Sequence, residues 1–123
     1  MVLNLAFQTA RKRTMHKKMA LEFTDANFET LALQSDKLVM VDFWAEWCGP
    51  CRLLGPVVEE IAKDFDGEVV VGKVNVDEHS GVSSSHGIRN IPTILFFKNG
   101  QVVDRSVGNV PKSVLVEKIQ SLK

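Results

Sequence analysis

The chain has 123 residues with 45% apolar side chains, which suits one compact domain and excludes an intrinsically disordered chain. Its net charge is zero, but the first twenty residues carry five of the 15 basic side chains and no acid, so ten basic and 15 acidic residues remain. An acidic body disfavours nucleic acid as a partner, because phosphate binding needs a basic face. No apolar run approaches the roughly 20 residues that span a bilayer, so we expect no membrane contact.

Residues 1–18 form a basic N-terminal extension, and we expect the folded domain to cover 19–123. An apolar stretch precedes the cluster Arg11-Lys12-Arg13, which reverses the order of a secretory signal, so we expect no export by that route. The extension is acid-free and mildly amphipathic, as transit peptides are. We favour an upstream extension before a start at Met19, and so a cytoplasmic protein. The alternative is an organelle matrix, if 1–18 are a transit peptide.

The first half of the domain alternates strand and helix signals. Ala20–Phe23 predicts a short strand, and Thr24 is a suitable N-cap for a helix through about Gln34. Leu38–Trp44 predicts a buried strand that contains one carboxylate. Apolar residues then recur at helical spacing from Cys48 to Phe65, and Pro56 inside this pattern should kink the helix.

The second half continues the alternation and ends in a hairpin. Val69–Val76 predicts a strand, and a weak helical stretch covers Gly81–His86. Asn99-Gly100 is a hairpin signal, and it separates strands predicted over Thr93–Phe97 and Gln101–Val107. The last helix has Pro111 near its start. Strands that alternate with helices before a hairpin indicate an α/β fold with a mixed sheet covered on both faces.

Both cysteines lie in the segment Trp47-Cys48-Gly49-Pro50-Cys51-Arg52. Two sulfurs at this spacing, in the first turn of a helix, can close into a small disulfide ring, and the helix N-terminus favours a thiolate. A small secreted protein would tend to use cysteines as structural staples, so the single C-x-x-C fits a reducing compartment. Zinc needs four ligands, and His16, His79 and His86 have no ligand spacing, so we expect no metal.

The segment Val41-Asp42-Phe43-Trp44-Ala45-Glu46-Trp47-Cys48-Gly49-Pro50-Cys51 resembles the active-site segment of the thioredoxin family. Further matches follow in the family's order at Lys73–Asp77, Gly87–Arg89, Ile91–Thr93, Lys98–Gly100 and Val107-Gly108, so the resemblance covers Leu21–Lys123. It implies the thioredoxin fold, a five-stranded mixed sheet flanked by four helices, with three parallel strands and the hairpin pair reversing direction beside them. The thioredoxin domain would therefore be 19–123.

The resemblance also implies a function, that of a monomeric protein-disulfide reductase. Such a protein performs dithiol–disulfide exchange with protein substrates, is recycled by a thioredoxin reductase, and needs no bound cofactor. Cys48 would be the exposed nucleophile and Cys51 the more buried resolving thiol. Gly49 and Pro50 would tune the redox potential, because Pro50 restricts the loop and lacks a backbone donor.

Asp42 and Lys73 would serve the same dithiol. The family pattern places Asp42 beneath it as the acceptor of the Cys51 proton, through a water molecule, with Lys73 near this acid. The residues alone leave simpler interpretations open. Asp42 could be a solvated aspartate at a strand end, and Lys73 an edge lysine with its ammonium in solvent.

Five residues would form the substrate surface around Cys48, namely Trp47, Ile91, Pro92, Val107 and Gly108. Pro92 matches the family's cis-proline, although sequence alone favours the commoner trans form. Trp44 is expected to support the core. Two positions depart from the family pattern: Asn90 replaces a common Gly, where Asn tolerates positive φ, and His86 replaces an aromatic residue.

Two alternatives to the reductase remain. An oxidase or isomerase on the same fold is disfavoured, because Gly-Pro between the cysteines resembles the reducing branch. A redox-independent interaction module would use the surface around the Cys-Gly-Pro-Cys loop within a larger complex, and its cysteines would be dispensable.

Overall fold

The structure, a computed structural model, describes residues 19–123, and the basic extension 1–18 lies outside the described residues. Five strands occur in this part of the chain, β1 (Leu21–Glu22), β2 (Leu38–Trp44), β3 (Val69–Asn75), β4 (Thr93–Lys98) and β5 (Gln101–Val107). The helices are a short π-helix (Glu29–Leu33) and α1 (Gly49–Asp64), α2 (Ser80–Ser85) and α3 (Lys112–Leu122).

The strands form one mixed sheet in the order β1-β3-β2-β4-β5. The three strands β1, β3 and β2 are parallel, β4 is antiparallel to β2, and β5 is antiparallel to β4. The predicted α/β class and the five-stranded mixed sheet are therefore confirmed. The loop between β4 and β5 also follows the sequence signal, because Asn99 (φ 53°) and Gly100 (φ 79°) both have positive φ, as a type I′ turn requires.

The N-terminal region differs most from the sequence prediction. The helix expected from Thr24 to about Gln34 is a five-residue π-helix, and the expected capping chemistry closes a turn before it. The Thr24 amide donates to Asn27 Oδ1 (2.7 Å), and the Asn27 amide donates to Thr24 Oγ1 (3.1 Å). Because these reciprocal bonds satisfy the local amides, the chain turns before it becomes helical. The predicted first strand shortens to Leu21–Glu22.

The core has two layers, one on each face of the sheet. Alternate side chains of β2 point to opposite faces. Val39, Val41 and Phe43 pack with Phe23 and Phe28 on one face. On the other face Leu38 and Met40 pack against α1 and α3, through Leu54, Val58, Ile61, Leu115 and Ile119. The alternation places Asp42 on this second face, under α1. Helix α1 continues through Pro56, and the kink expected there stays a prediction.

Candidate active site

The two cysteines form a disulfide at the N-terminus of α1, with their Cα atoms 5.3 Å apart. Cys48 is the N-cap residue, and its Sγ accepts a hydrogen bond from the Cys51 amide (3.2 Å). Pro50 occupies the first turn, where its missing amide leaves no intrahelical hydrogen bond unmade. The Cys48 sulfur therefore lies where unpaired amides and the helix dipole favour negative charge.

The expectation of an exposed Cys48 is wrong for this disulfide form. Cys48 is 4% exposed and Cys51 is 2% exposed, so the two differ little. Cys48 is covered because it packs with Ala45 and Cys51, and Ile91 lies against the same cluster. The carbonyl oxygen of Ile91 is 3.8 Å from Cys48 Sγ. Sequence spacing alone could not show this cover, because Ile91 reaches the sulfur from a distant loop.

The peptide bond between Ile91 and Pro92 is cis, as the resemblance implies. The Pro92 carbonyl accepts a hydrogen bond from the Gly108 amide (2.8 Å), and Thr93 is in register with Val107. These contacts bring Pro92, Val107 and Gly108 together at one end of the sheet. Val107 is half exposed.

Trp47 is the most exposed large apolar side chain of the described residues, with 70% of its surface accessible. Its indole Nε1 donates a hydrogen bond to Asp77 Oδ2 (2.8 Å), which fixes the ring beside the cysteine loop. Sequence reasoning gave Asp77 no role of its own. An acid after a predicted strand carries no local signal of an indole partner.

Asp42 is fully buried, so the interpretation as a solvated strand-end aspartate is wrong. Neither of its carboxylate oxygens has a hydrogen-bond partner among the described residues. Desolvation raises the pKa of Asp42 to about 7, and the positive charge of Lys73 opposes this rise. Asp42 is in register with Lys73 of β3 and with Ile94 of β4.

Lys73 is half-buried rather than fully solvated, and its ammonium lies over the indole ring of Trp44, with Nζ 4.6 Å from the ring centroid. Trp44 also packs against the two cysteines, as its expected supporting role requires. An open groove beside them is lined by Trp44, Cys51, Arg52, Gly55, Pro56, Glu59, Glu60 and Lys73. Asp42 therefore lies behind a groove that receives both Cys51 and its own register partner.

The two departures from the family pattern have local explanations. Asn90 is exposed, its carbonyl accepts a hydrogen bond from Thr93 Oγ1 (2.5 Å), and it does not use positive φ. His86 fills an aromatic position, because its ring contacts Phe28 and Phe97 edge to face at 5.4 and 5.3 Å.

Two further searches of residues 19–123 gave negative results. No group of three or more His, Cys, Asp and Glu side chains there is arranged to hold a metal ion. None of the helices in this range has the length and apolar character needed to cross a membrane.

The family model described as Thioredoxin matches residues 19–121. The chain belongs to the thioredoxin family. It is 53% identical over 98 residues to thioredoxin of Chlorobaculum thiosulfatiphilum, across 80% of this chain and 91% of that protein. It is 52% identical over 101 residues to thioredoxin 1 of Nostoc sp., across 82% and 94% of the two chains.

A plant relative, the chloroplastic M-type thioredoxin of Spinacia oleracea, is 46% identical over 103 residues, which are 84% of this chain and 57% of that protein. Family membership and the disulfide within the C-x-x-C motif make the chain a protein-disulfide oxidoreductase that works by dithiol–disulfide exchange. A redox-independent interaction module is not favoured.

Proposed function

We propose that this thioredoxin-family protein reduces disulfide bonds in protein substrates and is itself reduced by a thioredoxin reductase. The observation that carries the proposal is the Cys48–Cys51 disulfide at the N-terminus of α1, beside the Ile91 carbonyl and above a buried carboxyl group. A dithiol here is held in the geometry of its own oxidised product, so ring closure needs little rearrangement.

The first step uses Cys48 as the nucleophile. Its thiolate attacks one sulfur of the substrate disulfide, a new bond joins Cys48 to that sulfur, and the other substrate sulfur leaves as a thiolate that takes a proton. The Cys51 amide supports the Cys48 thiolate, because it already donates to this sulfur in the disulfide. Gly49 and Pro50 leave that amide as the donor nearest in sequence and so influence the potential.

The second step uses Cys51 as the resolving thiol and Asp42 as its proton acceptor. Cys51 loses a proton and attacks the Cys48 sulfur, the intrachain disulfide forms, and the second substrate sulfur leaves as a thiolate. A pKa of about 7 suits Asp42 to this exchange, because near neutral pH the carboxyl can both accept and release a proton. Lys73 supports the ionised form of this carboxyl by its charge.

The substrate surface in this proposal comprises Trp47, Ile91, Pro92, Val107 and Gly108. Exposed apolar area at Trp47 and Val107 flanks the covered sulfur, so an extended substrate segment could contact both. Residues 19–123 would act as a monomeric thioredoxin domain. We propose a cytoplasmic location; the alternative organelle matrix depends on 1–18 acting as a transit peptide and would parallel the chloroplastic relative.

Reduction of insulin by dithiothreitol, followed as turbidity, tests the nucleophile. We expect catalysis by the wild type, none by Cys48→Ser, and unchanged catalysis by the control Ser113→Ala, whose exposed side chain lies on α3. Full activity of Cys48→Ser would contradict the assignment.

Trapping tests the resolving thiol and the reductase. Cys51→Ser should accumulate mixed disulfides with reduced substrates through Cys48, whereas Cys48→Ser should accumulate none. A thioredoxin reductase with NADPH should replace dithiothreitol in the insulin assay. If dithiothreitol supported catalysis and the reductase did not, the recycling partner would be a different reductant.

Asp42→Asn tests the proton acceptor. Single-turnover resolution of a preformed mixed disulfide should slow in this variant, while formation of the mixed disulfide by Cys48 should keep its rate. Resolution at the wild-type rate would remove Asp42 from the mechanism.

A further inference from the structure

Trp44 occupies a position between the dithiol and the proposed proton acceptor. It ends β2 two residues after Asp42, so both side chains face α1. Its ring packs against Cys48 and Cys51 on one side. The ammonium of Lys73 lies 4.6 Å from the centroid of the same ring, within the roughly 6 Å range of a cation–π interaction.

The indole is the closest electrostatic partner that the structure gives this ammonium. Within residues 19–123, Lys73 forms no ion pair with Asp42 or with any other carboxylate. Lys73 and Asp42 are nevertheless register neighbours on adjacent strands. The ammonium is thus kept near the carboxyl group by a contact with a third side chain, without a direct salt bridge.

We propose that Trp44 is a positioning residue, which holds the Lys73 ammonium on its ring face beside Asp42 and thereby controls proton transfer from Cys51. The inference rests on the proposed role of Asp42 as the proton acceptor. It adds a defined task for Trp44 beyond packing.

The other charged groups around the groove determine what the ammonium does without the ring. From α1 the groove receives Arg52, Glu59 and Glu60, whereas the β4 residue in register with Asp42 is the apolar Ile94. A released ammonium therefore has carboxylates and solvent to approach on the groove side. Its attraction for ionised Asp42 weakens, and desolvation then raises the pKa of Asp42 further.

A double-mutant cycle between Trp44 and Lys73 tests this inference in the disulfide form of the full chain. The titration of the Asp42 carboxyl carbon is followed by NMR, with Asp42→Asn identifying the resonance. Trp44→Leu should raise the midpoint by about 0.5, a threefold change in the ratio of protonated to ionised carboxyl. The same substitution on a Lys73→Met background should change the midpoint much less, because no ammonium remains to be positioned. Trp44→Phe should restore most of the midpoint, since it keeps a ring face.

The cycle separates positioning from packing. Water that enters beside the smaller Leu side chain would lower the pKa of Asp42 equally in both backgrounds, and this effect cancels in the comparison. Equal changes with Lys73 and with Met at this position would overturn the inference, and so would a lowered midpoint with Lys73 alone. If Trp44→Leu does not fold, the cycle is run with Trp44→Phe, whose smaller midpoint change should likewise vanish on the Lys73→Met background.

The outcome is also separable from the proposed function. An absent coupling combined with slow resolution in Asp42→Asn would refute only the role of Trp44. Normal resolution in Asp42→Asn would refute the proton-acceptor role itself, and with it the proposed effect of Trp44 on proton transfer.

Discussion

Replacing Asp42 by Asn should stabilise the oxidised protein above neutral pH and leave its stability nearly unchanged at pH 4. The pKa of this carboxyl is about 7 in the folded state, against an ordinary 3.8. The folded state therefore binds more protons than the unfolded state between these values, and the free energy of unfolding falls as pH rises through this window. The loss begins near pH 4 and is complete only above about pH 7.

The magnitude follows from the difference of about 3 between the two pKa values. At 1.36 kcal/mol for each, ionisation of the buried carboxyl costs about 4 kcal/mol above pH 7. Asn is close to the same size and does not ionise, but it brings an amide without printed partners into the same site, which costs about 1–3 kcal/mol. A protonated carboxyl carries a similar burial cost, so we expect a net stabilisation of about 2–4 kcal/mol at pH 8.

Urea melts of the oxidised protein at pH 4 and pH 8 measure this directly. Asp104→Asn is the matched control, because Asp104 is partly exposed and its hydrogen bond from Lys118 lowers its pKa. That control should lose stability at pH 8 by less than about 1 kcal/mol, the opposite sign. An Asp42→Asn stabilisation of equal size at both pH values would refute the reasoning, since it could not come from ionisation.

Three further predictions concern α1 and the chain's start. Gly55→Ala should raise the free energy of unfolding by about 0.5–1 kcal/mol in urea melts, because a Cβ there meets only Lys73 Nζ, at 3.9 Å; a loss would mean that the groove rejects a methyl group. Pro50→His should make the couple more oxidising in a redox-buffer titration, and an unchanged or lower potential would contradict a tuning role. A chain that begins at Met19 should match the full chain in melting temperature and insulin reduction, because its new ammonium falls beside Glu59 Oε1, which already accepts from the Met19 amide (2.7 Å). A large drop in melting temperature would show that 1–18 stabilise the domain.

Local sequence determined the elements whose geometry depends on neighbouring residues alone. The Asn99-Gly100 turn formed as predicted, because both residues tolerate the positive φ of a type I′ turn. Strand β2 runs from Leu38 to Trp44 as the apolar run indicated. The helix that begins at the C-x-x-C motif is present, because Cys48 caps it and Pro50 suits its first turn.

The first helix shows where local signals fail. Thr24 is a good N-cap, yet its side chain pairs with Asn27 and closes a turn. Both outcomes satisfy the same amides, so propensity could not choose between them. Strand β1 likewise depends on β3 for its register, and only two of its predicted residues pair there.

The properties of the active site belong to the tertiary structure. The sequence by itself determined the spacing of Cys48 and Cys51 and the presence of one carboxylate in β2. Burial of Asp42, and with it a pKa of about 7, arises only because α1 covers that face of the sheet. The cover over Cys48 comes from Ile91, and the Lys73 ammonium finds its place over Trp44 on a neighbouring strand. Desolvation and Coulomb interactions depend on what surrounds a group in space, and no local pattern of residues fixes those surroundings.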